Sequence, residues 1–247
     1  MGPWRVITIG GQLIRRSAVF FLGLAAMIQL GPAAAMAASM LISLAIYAAA
    51  FGLKYAAGFI LLLFIHELGH LFASRVVGLA TSAPIFLPFI GAVISLKQLP
   101  NNAKMEANIA IGGPAMGTLS ALICLIFYFW SDSLLMLVLA YTACLLNLFN
   151  LIPCDPLDGG RIVAAISPHL WWIGILVIGG LFFYTHNIIM LLIFAVSLLR
   201  LWRSEKWDEN STYYRLSLRQ RLRVLWWYLG LLTVLGITTL YIAELLH

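Results

Sequence analysis

The sequence predicts an all-α polytopic membrane protein with about six to seven transmembrane helices. Of its 247 residues, 63% are hydrophobic and only 10% are charged, whereas about a quarter of the residues in a soluble globular domain are charged. The mean hydropathy is +1.00. These values exclude a disordered chain and a soluble domain. The three cysteines have no spacing typical of a disulfide framework.

Seven apolar segments approach the length of about 20 residues that crosses a bilayer. They are residues 33–51, 56–77, 106–130, 134–152, 170–184, 187–201 and 224–243, of which the fifth and sixth are short. Residues 18–30 are too short to span, which favours an interfacial helix. We therefore divide the chain into an N-terminal interfacial segment (1–32), a membrane-embedded core (33–165) and C-terminal transmembrane helices (166–247).

The basic residues predict the orientation of these helices. With Arg15 and Arg16 in the cytoplasm and the spans alternating, all but one of the 15 Lys and Arg residues fall on the cytoplasmic side, and the exception is Lys54. The basic loop 202–223 is then cytoplasmic and faces anionic lipid headgroups of the bilayer. The net charge of +6 is explained in this way, and we expect no nucleic-acid partner.

Three ionisable residues lie in the middle of the second span. They are His66, Glu67 and His70, in the pattern His-Glu-x-x-His. Ionisable groups at membrane depth are costly and indicate a functional site. Histidines four residues apart project from one helix face, so both imidazoles can bind one metal ion, while Glu67 can reach a metal-bound water. Burial of the two histidines as a hydrogen-bonded pair is the alternative, but it leaves Glu67 without a partner.

A catalytic zinc ion has a third protein ligand and an open position for water. The acidic candidates are Asp155 and Asp158, on backbone that Pro153 and Pro156 prevent from continuing as a helix. Spacing does not choose between the two aspartates. Less favoured candidates are Cys154 and His169. The His-Glu motif and this segment both fall in the cytoplasmic half of the membrane, although separate helices bring them there.

At these residues the chain resembles the site-2 protease family of intramembrane zinc metalloproteases. The first motif is residues 66–70, and residues 150–159, NLIPCDPLDG, fit the family pattern Asn-x-x-Pro-x-x-x-Leu-Asp-Gly. A glycine motif, GGPAMG at residues 112–117, lies on the intervening span. The resemblance covers about residues 50–165, and this compact chain has neither the PDZ domain nor the nucleotide-sensing domain of other members.

The resemblance implies a role for each motif residue. It implies that His66, His70 and Asp158 bind one Zn²⁺ per chain, with Glu67 as the catalytic residue and Asp155 in a supporting position. Asn150 would hold the substrate backbone, and Gly113 and Gly117 would lie beside the substrate site or serve only helix packing. Asn147, one turn before Asn150, is an undecided candidate.

Loop 78–105 contains the apolar, β-branched segment SAPIFLPFIGAVISLKQ. This segment predicts a membrane-associated β-hairpin, which in the family pairs with the unwound substrate by strand addition; the alternative is a loop that only packs at the interface.

The function implied by the resemblance is hydrolysis of a peptide bond within or near a transmembrane segment. Its substrate would be a single-pass membrane protein or a signal-peptide remnant, and the expected location is a prokaryotic plasma membrane. The alternative is an inactive membrane scaffold that retains the fold. The sequence does not indicate an oligomeric state.

Overall fold

The structure is a computed structural model that describes residues 31–87, 91–93, 98–204 and 212–246. The predicted interfacial helix at residues 18–30 lies outside these residues. Each of the seven predicted spans corresponds to a helix, and a further short helix carries Asp158. The helices are α1 (Pro32–Phe51), α2 (Leu53–Val76), α3 (Ala103–Ser131), α4 (Leu134–Asn150), α5 (Asp158–Ala164), α6 (Trp171–Thr185), α7 (Ile188–Ser204) and α8 (Leu218–Leu246).

The prediction of an all-α polytopic membrane protein is confirmed. Five helical segments of the described chain are long and apolar enough to cross a membrane: α1, α2, α3, α8 and the segment Pro168–Thr185 that contains α6. The two other apolar helices, α4 and α7, are shorter. The count of six to seven spans stays a prediction.

The fourth predicted span, residues 134–152, was too long at its C-terminal end. Helix α4 ends at Asn150, and residues 151–157 form a series of turns before α5 begins. Pro153 lacks the backbone donor that a continuing helix requires, and the residue before Pro156 is restricted to non-helical conformations. These turns deliver Asp158 at the first position of α5, where a carboxylate also interacts favourably with the helix dipole.

Two short strands form a hairpin within loop 78–105. Strand β1 (Ile85–Leu87) pairs antiparallel with β2 (Gly91–Val93), and Phe86 lies opposite Ala92. The backbone N–H of Phe86 donates to Oγ of Ser39 on α1 at 3.1 Å. Helix α1 therefore covers the edge of β1, while the association of the hairpin with the membrane stays a prediction.

The core of the fold is the packing of α3 against α2 and α4. At the crossing of α2 and α3, a Cβ atom on Gly69 would lie 2.1 Å from the carbonyl oxygen of Gly112, and one on Gly112 would lie 2.4 Å from that of Gly69. Only glycine at both positions permits this backbone contact. The crossing lies beside His70, so it sets the distance between the His-Glu motif and α3.

Candidate metal centre

Three predicted ligands from two separate helices meet at one point. Nε2 of His66 lies 3.1 Å from Nε2 of His70. Oδ2 of Asp158 lies 3.2 Å from each of these nitrogens. The three donor atoms therefore form a nearly equilateral triangle, which we call the ligand triangle. Ligands held at about 2.0–2.1 Å by a tetrahedral Zn²⁺ are about 3.3 Å apart, so the size of the triangle fits this ion.

Hydrogen bonds at the opposite ring nitrogens fix the tautomers of both histidines. Nδ1 of His70 lies 2.9 Å from the carbonyl oxygen of Ile109, which can only accept. Nδ1 of His66 lies 2.9 Å from Oδ1 of Asn147, and Nδ2 of Asn147 donates to the carbonyl oxygen of Ala143 at 2.7 Å. Both Nδ1 atoms therefore carry the ring proton, and both Nε2 lone pairs point into the triangle. This is the arrangement in which imidazoles bind metal ions.

Asn147 is a site residue that the sequence alone left undecided. It lies on α4, is 1% exposed, and holds the ring of His66 by the hydrogen bond described above. A buried amide in an apolar span needs a hydrogen-bond partner, and this need was the feature of the sequence that indicated a role for Asn147. The sequence did not reveal which neighbouring helix would supply that partner.

Glu67 lies next to the ligand triangle in sequence but is not part of it. One residue is about 100° of helical rotation, so its side chain leaves α2 about a quarter-turn away from that of His66. It is 7% exposed. Within the described ranges, no hydrogen-bond donor or cation pairs with its carboxylate. A largely buried carboxylate that has no hydrogen-bond partner in the described part of the chain is costly for folding, which favours a chemical role for this group.

Comparisons with known proteins find sequences similar to the segment that carries two of the motifs. Residues 54–133, which include the His-Glu motif and the glycine motif, match the family model described as Peptidase family M50. Over these residues the chain is similar to this family. The resemblance to the site-2 proteases that its motifs indicated is confirmed.

Curated relatives are similar to part of this chain. A zinc metalloprotease of Methanocaldococcus jannaschii is 38% identical over 107 residues, which are 41% of this chain and 31% of the relative. Rip3 of Mycobacterium tuberculosis is 34% identical over 114 residues, which are 43% of this chain and 28% of the relative. The matched segments thus span about a third of the length of these relatives.

Among solved structures, the site-2 protease from Methanocaldococcus jannaschii is similar, with a TM-score of 0.45 and 24% sequence identity. The similarity covers 72% of this chain and 87% of the solved one.

The glycine motif of this chain lies directly against the ligand triangle. A Cβ atom on Gly113 would lie 2.2 Å from Nε2 of His70 and 2.7 Å from Nε2 of His66. One turn later, a Cβ atom on Gly117 would lie 2.1 Å from Oδ1 of Asn147. Because the two glycines have no side chains, α3 can approach the imidazole nitrogens and the Asn147 amide that holds His66. Their predicted contact with substrate stays a prediction.

The remaining candidates are placed apart from the ligand triangle. Asp155 pairs with Arg200, with Oδ2 and Nη1 2.6 Å apart. Cys154 is fully buried in a cluster with apolar neighbours, and His169 is exposed beside α6. Asn150 is half-buried at the last turn of α4, and its role in holding substrate stays a prediction.

Proposed function

We propose that this chain is a zinc-dependent intramembrane protease, which hydrolyses a peptide bond within or near the transmembrane segment of a membrane protein. One observation carries the proposal: the ligand triangle, formed by residues of α2 and α5, lies beside the buried Glu67, which is in the apolar middle of α2. An isolated metal-storage site has no use for a buried carboxylate that is not a ligand. A hydrolytic site requires one as its base.

In this proposal, His66, His70 and Asp158 hold one Zn²⁺. When bound, zinc lowers the pKa of a water molecule and polarises the scissile carbonyl. Glu67 accepts a proton from the attacking water and donates it to the amide nitrogen as the C–N bond breaks. Water and peptide bond are thereby converted into a carboxylic acid and an amine. Asn147 keeps the His66 ring in the metal-binding tautomer throughout.

The substrate must be unwound to be cut, because a helix hides its carbonyl groups in i to i+4 hydrogen bonds. We propose that Asn150 binds the exposed backbone near the metal, and that Gly113 and Gly117 leave room for it. Substrates are then single-pass membrane proteins or signal-peptide remnants with helix-weakening residues near the cut. We propose a prokaryotic plasma membrane as the location, with the N-terminus and the active site toward the cytoplasm.

The outer edge of strand β2 in the hairpin is a place where an unwound substrate segment can pair. The N–H of Phe86 points away from β2 toward Ser39, so Phe86 and Ala92 form a pair without mutual hydrogen bonds. The N–H and C=O of Ala92 therefore point away from β1. No other strand in the described parts of the chain pairs with this edge of β2. We propose that substrate adds here by strand pairing.

Substitution at position 92 tests this pairing. Ala92→Pro removes the N–H donor, so cleavage should slow about tenfold for each strand hydrogen bond lost, while zinc content stays that of the wild type. Ala92→Ser retains the N–H and is the control. Equal cleavage rates for the two variants would refute pairing at this edge.

The proposed reaction is tested with the variant Glu67→Gln. We expect the purified variant to retain about one zinc per chain and to lose at least about 100-fold in cleavage of single-pass transmembrane peptides in vesicles. Glu244→Gln removes an exposed carboxylate on α8 and is the matched control. Undiminished cleavage by Glu67→Gln would refute the mechanism. A folded, zinc-loaded wild type that cleaves no transmembrane peptide would instead favour the inactive scaffold.

A further inference from the structure

Asp158 is presented by residues 151–157, which we call the aspartate loop. Helix α4 ends before it, and α5 begins with Asp158 itself. The loop has few hydrogen bonds of its own; within it, Cys154 N–H donates to the carbonyl of Ile152 and Leu157 N–H donates to that of Cys154. A metal ligand at the end of such a loop needs support from other elements to keep its position.

That support comes from the three C-terminal helices, which lie outside the motif-bearing segment. The Tyr228 hydroxyl on α8 donates to the carbonyl of Leu151 at 2.8 Å. On α6, the Trp171 indole N–H donates to the carbonyl of Gly160 at 2.7 Å. These two bonds hold the backbone at the start of the loop and just after Asp158.

Helix α7 holds the middle of the aspartate loop through Asp155. The Ser197 hydroxyl donates to the backbone carbonyl of Asp155 at 2.6 Å, and Nη1 of Arg200 lies 2.6 Å from its Oδ2. Ser197 is 3% exposed, and the side chain of Asp155 is 12% exposed. Backbone and side chain of the same residue are thus fixed by two residues one turn apart on α7.

The Asp155 carboxylate depends on Arg200 for its charge compensation. Its other oxygen, Oδ1, is buried and has no hydrogen-bond partner among the described residues. Loss of Arg200 would leave a nearly buried anion with no paired cation among the described residues, and such a group rearranges to reach water. Asp155 is three residues before Asp158, so this rearrangement would move the metal ligand.

We propose that Arg200 and Ser197 are positioning residues, which act through Asp155 to hold Asp158 in the ligand triangle. The proposal rests on the zinc site of the proposed function. In this proposal, α7 keeps the aspartate loop in its metal-binding conformation, and we call Ser197 and Arg200 together the clamp. Replacement of the clamp residues should therefore weaken metal binding without removing any ligand.

The test is the zinc affinity of the full-length protein in detergent, measured by competition with a chelator. We expect Arg200→Ala to weaken zinc binding about 10- to 100-fold, as is typical when support of a metal ligand is lost. Arg200→Lys keeps the charge and should recover part of the loss. Arg223→Ala removes an exposed arginine of α8 and is the matched control, with the affinity of the wild type.

Cobalt substitution separates positioning from general stability. If the Asp158 carboxylate leaves its position, the visible absorption bands of bound Co²⁺ should shift in Arg200→Ala, and Ser197→Ala should shift them in the same direction. A lower unfolding temperature with an unchanged cobalt spectrum and zinc affinity would overturn the proposal. The double variant Asp155→Asn/Arg200→Ala should bind zinc no more weakly than Arg200→Ala, because both changes break the same contact.

Metal binding by the wild type distinguishes a failure of this inference from a failure of the proposed function. If the wild type binds zinc and Arg200→Ala binds it equally well, only the clamp is refuted. If the folded wild type binds neither zinc nor cobalt, the proposed function fails and the clamp fails with it.

Discussion

Replacement of Gly113 by alanine would place one methyl group against the ligand triangle. The Cβ atom would lie 2.2 Å from Nε2 of His70 and 2.7 Å from Nε2 of His66. These distances are about 1.2 and about 0.7 Å inside the 3.4 Å at which ordinary contact begins. The nearest atoms are therefore the metal donors themselves.

The size of this overlap sets the expected loss of affinity. A donor atom must keep its distance from the metal to within about 0.2 Å, so at least one imidazole must leave its position. A site with three protein ligands is thereby reduced to two. We expect zinc affinity to fall at least about 100-fold, or about 2.7 kcal/mol.

Chelator competition on the purified protein measures this loss, and two other glycines provide controls. A Cβ atom on Gly58, about two turns before His66 on α2, would meet flexible atoms of the Leu139 side chain at 2.4 Å and none of the donors. Gly58→Ala should therefore lower the unfolding temperature but retain zinc. Gly236 has open space around it, so Gly236→Ala should change neither. A folded Gly113→Ala variant with zinc affinity within about threefold of the wild type would refute the reasoning.

Three further predictions concern the support of the site and the segment that precedes α8. Asn147→Ala should weaken zinc binding about 10-fold or more in the chelator assay, because His66 loses the partner that fixes its tautomer. Asn150→Ala removes the other asparagine of α4 and is the matched variant; it should slow peptide cleavage and leave zinc affinity unchanged. If Asn150→Ala weakened zinc binding and Asn147→Ala only slowed cleavage, the roles that we assign to the two residues would be reversed. The Tyr213 hydroxyl donates to the Glu106 carboxylate at 2.5 Å. Burial together with this carboxylate raises the pKa of Tyr213, so the hydroxyl stays protonated and keeps this hydrogen bond. Tyr213→Phe should accelerate hydrogen exchange of the Ala103 amide, which bonds to the carbonyl of residue 213 at 3.0 Å, by about 10-fold or more; an unchanged rate would show that the hydroxyl does not hold this segment.

Helix positions and the ligand set were largely predictable from the sequence. Apolar length determines where a membrane helix can lie, and backbone hydrogen bonding allows little else in a bilayer. The spacing of His66 and His70 requires a common face on any helix. The choice between Asp155 and Asp158 was different, because it came from the family motif and not from spacing. In the structure, Asp158 joins the histidines and Asp155 turns to Arg200.

The supports of the site could not be predicted, because they depend on how helices pack. Asn147 meets His66 across 81 positions of sequence, and Arg200 meets Asp155 across 45. Neither pair has a local pattern, since a helix face acquires a partner only when crossing angle and register are set. The early end of α4 is an intermediate case, because Pro153 indicated a break but not the residue at which the helix stops.

The contact between Gly69 and Gly112 also limits how the core can open. At this crossing the two backbones already touch, so no side chain lies between Gly69 and Gly112 that could change rotamer and make room. A transmembrane segment is about 10 Å wide, and its passage along this seam would require the two helices to separate completely. If the proposed function is correct, we therefore expect a substrate that diffuses in the bilayer to enter elsewhere than at this crossing.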